Sequence, residues 1–268
     1  MQEIIGYILA SLIGISLGLI GGGGSILTVP VLVYVMGVSP TLSTAYSLFI
    51  VGITALIGSV SYMQKKLISF KTALVFSIPS FVSVFVVRKY VVPAIPAEII
   101  KIADFSLTKD IFLMLIFAVL MLFASVSMIK KKKGQEREES QEIKFNFPLI
   151  FIEGLVVGAI TGLVGAGGGF MIIPALVVFA KLPMKMAVGT SLLIIAAKSL
   201  IGFTGDMSNP NLNIDWILLT IFSAIASVGI FMGSYLSNFI PGEKLKTGFG
   251  WFVVTMAVYI LAKELLFK

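Results

Sequence analysis

A stretch of thirteen residues that occurs twice constrains this chain more than anything else in it. The first copy, Gly18 to Pro30, reads GLIGGGGSILTVP; the second, Gly162 to Pro174, reads GLVGAGGGFMIIP. The 144-residue offset between them extends well past the glycines. Ser47, Leu48 and Ile50 meet Ser191, Leu192 and Ile194, and Leu56, Ile57 and Gly58 meet Leu200, Ile201 and Gly202. No gap is needed between Gly14 and Val84, so the chain is an internal duplication.

The duplicated unit is built for a bilayer. Of the 268 residues, 58% are hydrophobic and 12% charged, about half the charge of a soluble domain. Mean hydropathy is +1.07. Apolar runs of about 20 residues recur along the length, the signature of membrane-spanning helices; the short alternating segments of a β-barrel are missing. There is no cysteine and no histidine. That removes disulfides, thiolate or imidazole metal ligands and Ser-His-Asp catalysis, so no enzyme activity, metal site or cofactor is expected. The net charge of +7 sits mainly in loops and reads as membrane topology, not nucleic-acid binding. The expected partners are the lipid bilayer and a small anionic substrate; monomer and homodimer both remain open. The chain opens Met1-Gln2-Glu3 with no basic leader, so the first span is expected to be retained.

The expected fold is all-α, a polytopic helical membrane protein of two inverted-topology repeats, each a glycine-broken hairpin plus three transmembrane helices. The first repeat covers 1–129: a broken segment at 4–36, then spans at about 41–62, 68–87 and 109–129. Ser39 and Pro40 suit a helix start, and Arg88-Lys89 close the second of these spans. A charged linker at 130–147 follows. Its stretch from Lys130 to Lys144 carries six basic and four acidic residues and reads as a solvated cytoplasmic loop, anionic-lipid binding by Lys130 to Lys133 being the minor alternative. The second repeat covers 148–268: a broken segment at 148–180, then spans at about 186–204, 214–238 and 247–266.

Loop charge orients the halves. Basic loops at 63–71 and 130–144 belong in the cytoplasm, and the loop at 205–213, which has no basic residue, belongs outside. The span at 41–62 then enters the cytoplasm while its copy at 186–204 leaves it. Each broken segment must return to its own side, as a re-entrant hairpin or as two thin crossings. Both termini come out extracytoplasmic, in a multi-pass protein of the cytoplasmic (inner) membrane.

Four successive small residues make a poor helix interior. A break inside hydrocarbon leaves backbone N–H groups that must face protein or a wet cavity. The short helix after each break starts within the membrane with free N–H donors and partial positive charge. Inverted repeats broken at matching positions point to a transporter's binding site. The candidate anion-binding residues are therefore Gly22, Gly23, Gly24 and Ser25 in the first break and Gly167, Gly168 and Gly169 in the second. Close helix packing is the competing role for such glycines and suits Gly14, Gly18, Gly158 and Gly162.

The doubled G-L-x-G-x-G-G-[GS]-x-hydrophobic-P motif resembles the TauE/SafE family of sulfite and organosulfonate transporters. Ala45-Tyr46-Ser47-Leu48 and Gly189-Thr190-Ser191-Leu192 are similar to that family's A/G-T-S-L segment. The resemblance covers nearly the whole chain. It implies permeation or export of a sulfur oxyanion or organosulfonate across the cytoplasmic membrane and leaves the particular anion open. Ser25 replaces the last glycine of the first run, and Tyr46 stands where the second copy has Thr190, so the two half-sites are not equivalent.

Among side chains, Lys198 is the most informative. It sits mid-span, where its copy is Thr54, and a lysine there costs roughly 3 kcal/mol unless it reaches water or a partner. It is expected to face the cavity as counter-charge to an anion; snorkelling, or pairing with a carboxylate such as Asp206, is the competing role. Ser47, Thr190 and Ser191 offer hydroxyls to an oxyanion or bond back to their own helices. Glu153 is a helix-start carboxylate or a proton-coupling group. Asp206 and Asp215 read as helix-end residues.

An inside-negative potential expels anions with about 2.3 kcal/mol per charge per 100 mV, so export needs no coupled ion. The expected function is a secondary transporter exporting the anion by alternating access around a midplane site. A passive anion channel and a proton-coupled uptake permease are the alternatives.

Overall fold

In the computed structural model of the chain, the described residues are 2–102, 105–129, 147–165, 167–178, 180, 182–209, 212–237, 239 and 242–266. The charged linker, apart from Phe147, lies outside them. The chain is a helical bundle. Helix α1 (Gln2–Ile20) runs to the first glycine break, and a short apolar helix α2 (Gly24–Val35) follows. Next come α3 (Pro40–Gln64) and α4 (Phe70–Ala94). A two-stranded antiparallel hairpin, β1 (Glu98–Ile102) and β2 (Phe105–Thr108), leads into α5 (Lys109–Ile129). The second half repeats the helices as α6 (Phe147–Val164), α7 (Gly169–Val178), α8 (Met184–Met207), α9 (Trp216–Leu236) and α10 (Gly242–Leu266).

Six of these helices are long and apolar enough to cross a membrane: α1, α3, α4, α5, α8 and α9. They carry a lipid-facing coat of apolar side chains, with Ile8, Leu74, Val82, Phe123, Ile217 and Val228 all more than half exposed. In water such a surface would be a large liability; in hydrocarbon it is the expected exterior. The protein is a multi-pass membrane protein.

Local chemistry sets the helix ends. Pro40 starts α3 with its fixed φ and no N–H to orphan. Ser39 precedes it but its side chain makes no cap bond; instead Asp110 accepts from the Thr41 N–H (3.1 Å) and hydroxyl (2.6 Å). Asp215 caps α9, accepting from the amides of Ile217 and Leu218, each at 3.0 Å. The helix of α4 differs from the sequence expectation, which closed the span at Arg88-Lys89. A π turn at Val87–Val91 carries it on to Ala94, because Arg88 is buried and bonded within the bundle and does not reach the aqueous face.

The packing pairs the halves reciprocally. Helix α1 lies on α9, and α6, its copy, lies on α4. Small residues make both contacts possible. A Cβ at Gly14 would meet the Ala226 carbonyl, one at Gly18 the backbone of Ile230 to Ser234, one at Gly158 the backbone of Ser80, and one at Gly162 Val87. These are the glycines the sequence assigns to packing. Helices α3 and α8 pack in the centre, with Leu48 near Gly202, Gly52 on Leu200, Gly58 near Leu192 and Tyr62 on Gly189. Residue numbers rise along one as they fall along the other, so the two copies run antiparallel. Outside them, α5 and α10 pair through Met114, Phe117, Met121, Val253, Ala257 and Ile260.

Two hydrogen bonds repeat the exchange. The Tyr46 hydroxyl, on α3, accepts from the Asp215 amide at 2.6 Å, just before α9. The Thr190 hydroxyl, at the matching position of α8, accepts from the Ser69 amide at 3.0 Å, just before α4. Each half thereby fixes the approach to a helix of the other.

Replacing Gly14 with Leu is expected to cost about 1–3 kcal/mol by overpacking against backbone that cannot give way. Gly248→Ala, where an added Cβ meets nothing within 4 Å, is expected to be neutral. Thermal melting of the two purified variants against the parent checks both.

Candidate functional site

The two glycine breaks meet. A Cβ at Gly22 would strike the Cα of Gly169, and one at Gly169 would strike the backbone of Gly22, so the backbones are in direct contact and only glycine fits at either position. Gly21 and Gly165, related by the 144-residue offset, both take positive φ (71° and 75°). Gly167 and Gly168 do so too (64° and 65°). That left-handed backbone strains any residue with a Cβ, which is why the turn preceding α7 is written in glycine. The first break takes a different form, a 3-10 turn over Gly21–Leu27 that includes Gly23 and Gly24. Gly24 lies on Ser16 and Leu17 of α1.

The breaks are held between equivalent faces of the central helices. On α3, Thr44 lies against Gly165 and Val51 against Gly167. On α8, Val188 and Ser191 lie against Gly21, and Ile195 against Gly22. Ser47, one helical turn from Thr44 and from Val51, shares their face. It is fully buried, and its hydroxyl has no hydrogen-bond partner among the described residues. Ser191 stands at the corresponding place on α8, 3.4 Å from a Cβ built on Gly21, and donates to the Val188 carbonyl at 2.8 Å. Ser25 donates to the Gly22 carbonyl at 2.7 Å and lies 3.4 Å from a Cβ built on Gly167.

Lys198 extends the same face of α8 by about one turn and reaches the second break. It is fully buried. Its Nζ donates to the Thr161 hydroxyl at 3.0 Å and stands 2.7 Å from a Cβ built on Gly168. Thr161 in turn donates to the Val157 carbonyl at 2.6 Å. The ammonium does not pair with Asp206, the carboxylate the sequence offered as alternative, which lies about two turns further along α8 and is engaged by Arg88. Its copy Thr54 instead donates to the Ile50 carbonyl of its own helix (2.7 Å). The central helices thus present equivalent faces to the two breaks, and a cation stands beside the second.

Two sequence candidates stand elsewhere. Thr190 is committed to the Ser69 amide. Glu153 is half-buried on α6, twelve residues before Gly165 and hence about 18 Å along the helix axis. Thr161 went unnoticed in the sequence; its only signal is a threonine one turn before the break in an otherwise apolar run.

A multi-pass helical bundle whose broken helices meet at its centre beside a buried cation has the build of a membrane transporter. Comparison with known proteins agrees: the profile of the family described as sulfite exporter TauE/SafE matches residues 7–260, and the chain belongs to that family. It is 28% identical over 254 residues to a probable membrane transporter protein of Xylella fastidiosa, covering 93% of this chain and 91% of the other. With the probable membrane transporter protein YunE of Bacillus subtilis it shares 29% over 227 residues (80% and 81% of the two chains). With YjnA of the same organism, also a probable membrane transporter protein, it shares 27% over 228 residues (84% and 86%). No solved structure matches the chain. The protein is a membrane transporter.

A buried ammonium with one hydroxyl partner contributes little to stability and much to desolvation cost. Lys198→Met is therefore expected to hold or raise the melting temperature of the purified protein. A clear fall would instead mark the lysine as structural.

Proposed function

We propose that this transporter exports a small sulfur-containing anion, sulfite or an organosulfonate, across the cytoplasmic membrane by alternating access around the glycine breaks. The meeting of both breaks beside Lys198 carries the reading. Backbone amides at the start of α7 and at the first break, the Lys198 ammonium and the Ser47 hydroxyl form a donor-rich set suited to an oxyanion; Ser191 and Ser25 would join it by turning their hydroxyls away from the Val188 and Gly22 carbonyls. Gly22, Gly23, Gly24, Gly167, Gly168 and Gly169 let the anion approach the backbone; Thr190 contributes by fixing the approach to α4.

The two halves act as inverted repeats in this scheme. The antiparallel run of α3 against α8 and the exchanged packing of α1 on α9 and α6 on α4 support it. Such an arrangement lets one half rock against the other and expose a central site to alternate sides. The Gly22–Gly169 contact is then the surface along which the breaks part. Export fits the driving force, since an inside-negative potential expels an anion unaided. The distance of Glu153 from the centre weighs against proton-coupled uptake. A saturable flux would separate the transporter from a passive channel.

Uptake of sulfite into proteoliposomes under an imposed potential, beside sulfate, taurine and sulfoacetate, tests the reading. At least one sulfur anion is expected to move saturably, and Lys198→Met to cut the flux by tenfold or more, equivalent to about 1.4 kcal/mol or more. If none moves above empty liposomes, the cargo assignment fails. Orientation is tested separately. Alkaline phosphatase fused after α10 is expected to be active, and fused within 130–144 to be inactive; the reverse pattern would invert the topology.

A further inference from the structure

A second buried cation lies away from the breaks. Arg88, in the π turn of α4, is 1% exposed. Its Nη1 donates to the Thr44 hydroxyl at 3.0 Å and lies 3.4 and 3.5 Å from the two oxygens of Asp206, itself 3% exposed. That contact uses one nitrogen at the limit of hydrogen-bonding length, not the two parallel bonds that a guanidinium and a carboxylate make when they pair fully. Among the described residues the Nε and Nη2 groups meet no acceptor, and Asp206 Oδ2 receives no hydrogen bond. A guanidinium has five N–H donors, and leaving most of them unanswered in a buried place is costly.

The choice of residue sharpens the point. Of 20 basic residues only Arg88 and Arg137 are arginine; elsewhere the chain uses lysine. Arginine differs from lysine in presenting a flat fork that matches two oxygens of one oxyanion. The position matters as well. Thr44, which bonds Arg88, lies against Gly165 of the second break. Gly205 packs on the Arg88 Cβ, so α4 and α8 approach closely there. Asp206 is eight residues beyond Lys198 on α8, about 12 Å along the axis, towards the C-terminal end of that helix.

We propose that the Nε–Nη2 edge of Arg88 is a second oxyanion subsite, which takes two oxygens of a sulfonate or sulfite on its way between the Lys198 site and the C-terminal end of α8. Asp206 and Thr44 hold the guanidinium by its third nitrogen and leave the fork free. The inference rests on the anion-transport reading, but the two fail separately.

The test uses the full-length protein, labelled with 15N-arginine, in nanodiscs, with methanesulfonate as probe. Two arginines make the Nε–H spectrum simple, and Arg88→Lys assigns the signal. The Arg88 Nε–H resonance is expected to shift saturably with methanesulfonate, in the parent and equally in Lys198→Met. In proteoliposomes Arg88→Lys, which keeps the charge and loses the fork, is expected to raise the half-saturating concentration about tenfold. The charge-balanced Arg88→Gln/Asp206→Asn pair, which leaves no lone buried charge, is expected to do the same. A resonance that ignores methanesulfonate overturns the subsite. So does an Arg88→Lys protein that melts lower but transports with an unchanged half-saturating concentration, since that describes a structural tie between α4 and α8. If the resonance shifts while no anion crosses the membrane, the subsite stands and the transport reading falls.

Discussion

Every backbone amide placed in hydrocarbon must find a partner, and this constraint shapes the whole molecule. Unbroken helices meet it internally. The two glycine breaks do not, and the rest of the bundle is arranged to shelter them. The central pair α3 and α8 covers each break with an equivalent face, Thr44, Ser47 and Val51 on one side and Val188, Ser191 and Ile195 on the other. The glycine contacts of α1 on α9 and of α6 on α4 bring each break up to that pair. The breaks then meet where no side chain fits, at Gly22 and Gly169.

Onto this paired backbone the sequence writes an unpaired set of charges. Lys198 has Thr54 as its copy, Arg88 has Met232, and Asp206 has Tyr62. All three charged residues are buried, whereas a pure scaffold duplication would gain nothing from them and would bear their desolvation cost. The repeat supplies the architecture, and divergence between its copies supplies the electrostatics. A substrate moving through such a centre meets a different field on each side of it.

Much of this was legible in the sequence. Recurrent apolar runs exposed the fold class, and the glycine runs with their shared offset pointed to the centre. Lys198 announced itself by being charged where charge is expensive. What escaped was what depends on contact across the fold. Arg88 next to Lys89 imitates the basic flank of a span, because one-dimensional charge patterns carry no sign of a buried acceptor more than a hundred residues away. Thr161 looks like any hydroxyl residue in an apolar helix until Lys198 reaches it. Ser39 has the chemistry of a cap, yet Asp110, from another helix, makes the bond. The paired strands Glu98–Ile102 and Phe105–Thr108 follow Pro93 and Pro96 among charged residues, a local pattern that does not mark a strand. Thr190 shares its pattern with Ser191 and Ser47 but spends its hydroxyl on a neighbouring segment.

The exchanged packing has a consequence for how the chain is made. The glycine face of α1 finds its partner only when α9 exists, and Gly14 and Ala226 are 212 residues apart. At about 5–20 residues per second of synthesis, the glycine face of α1 waits on the order of 10–40 s before its partner emerges. The contacts of Gly22 on Gly169 and of α3 on α8 also join the two halves, so the centre closes only after α8 has been made.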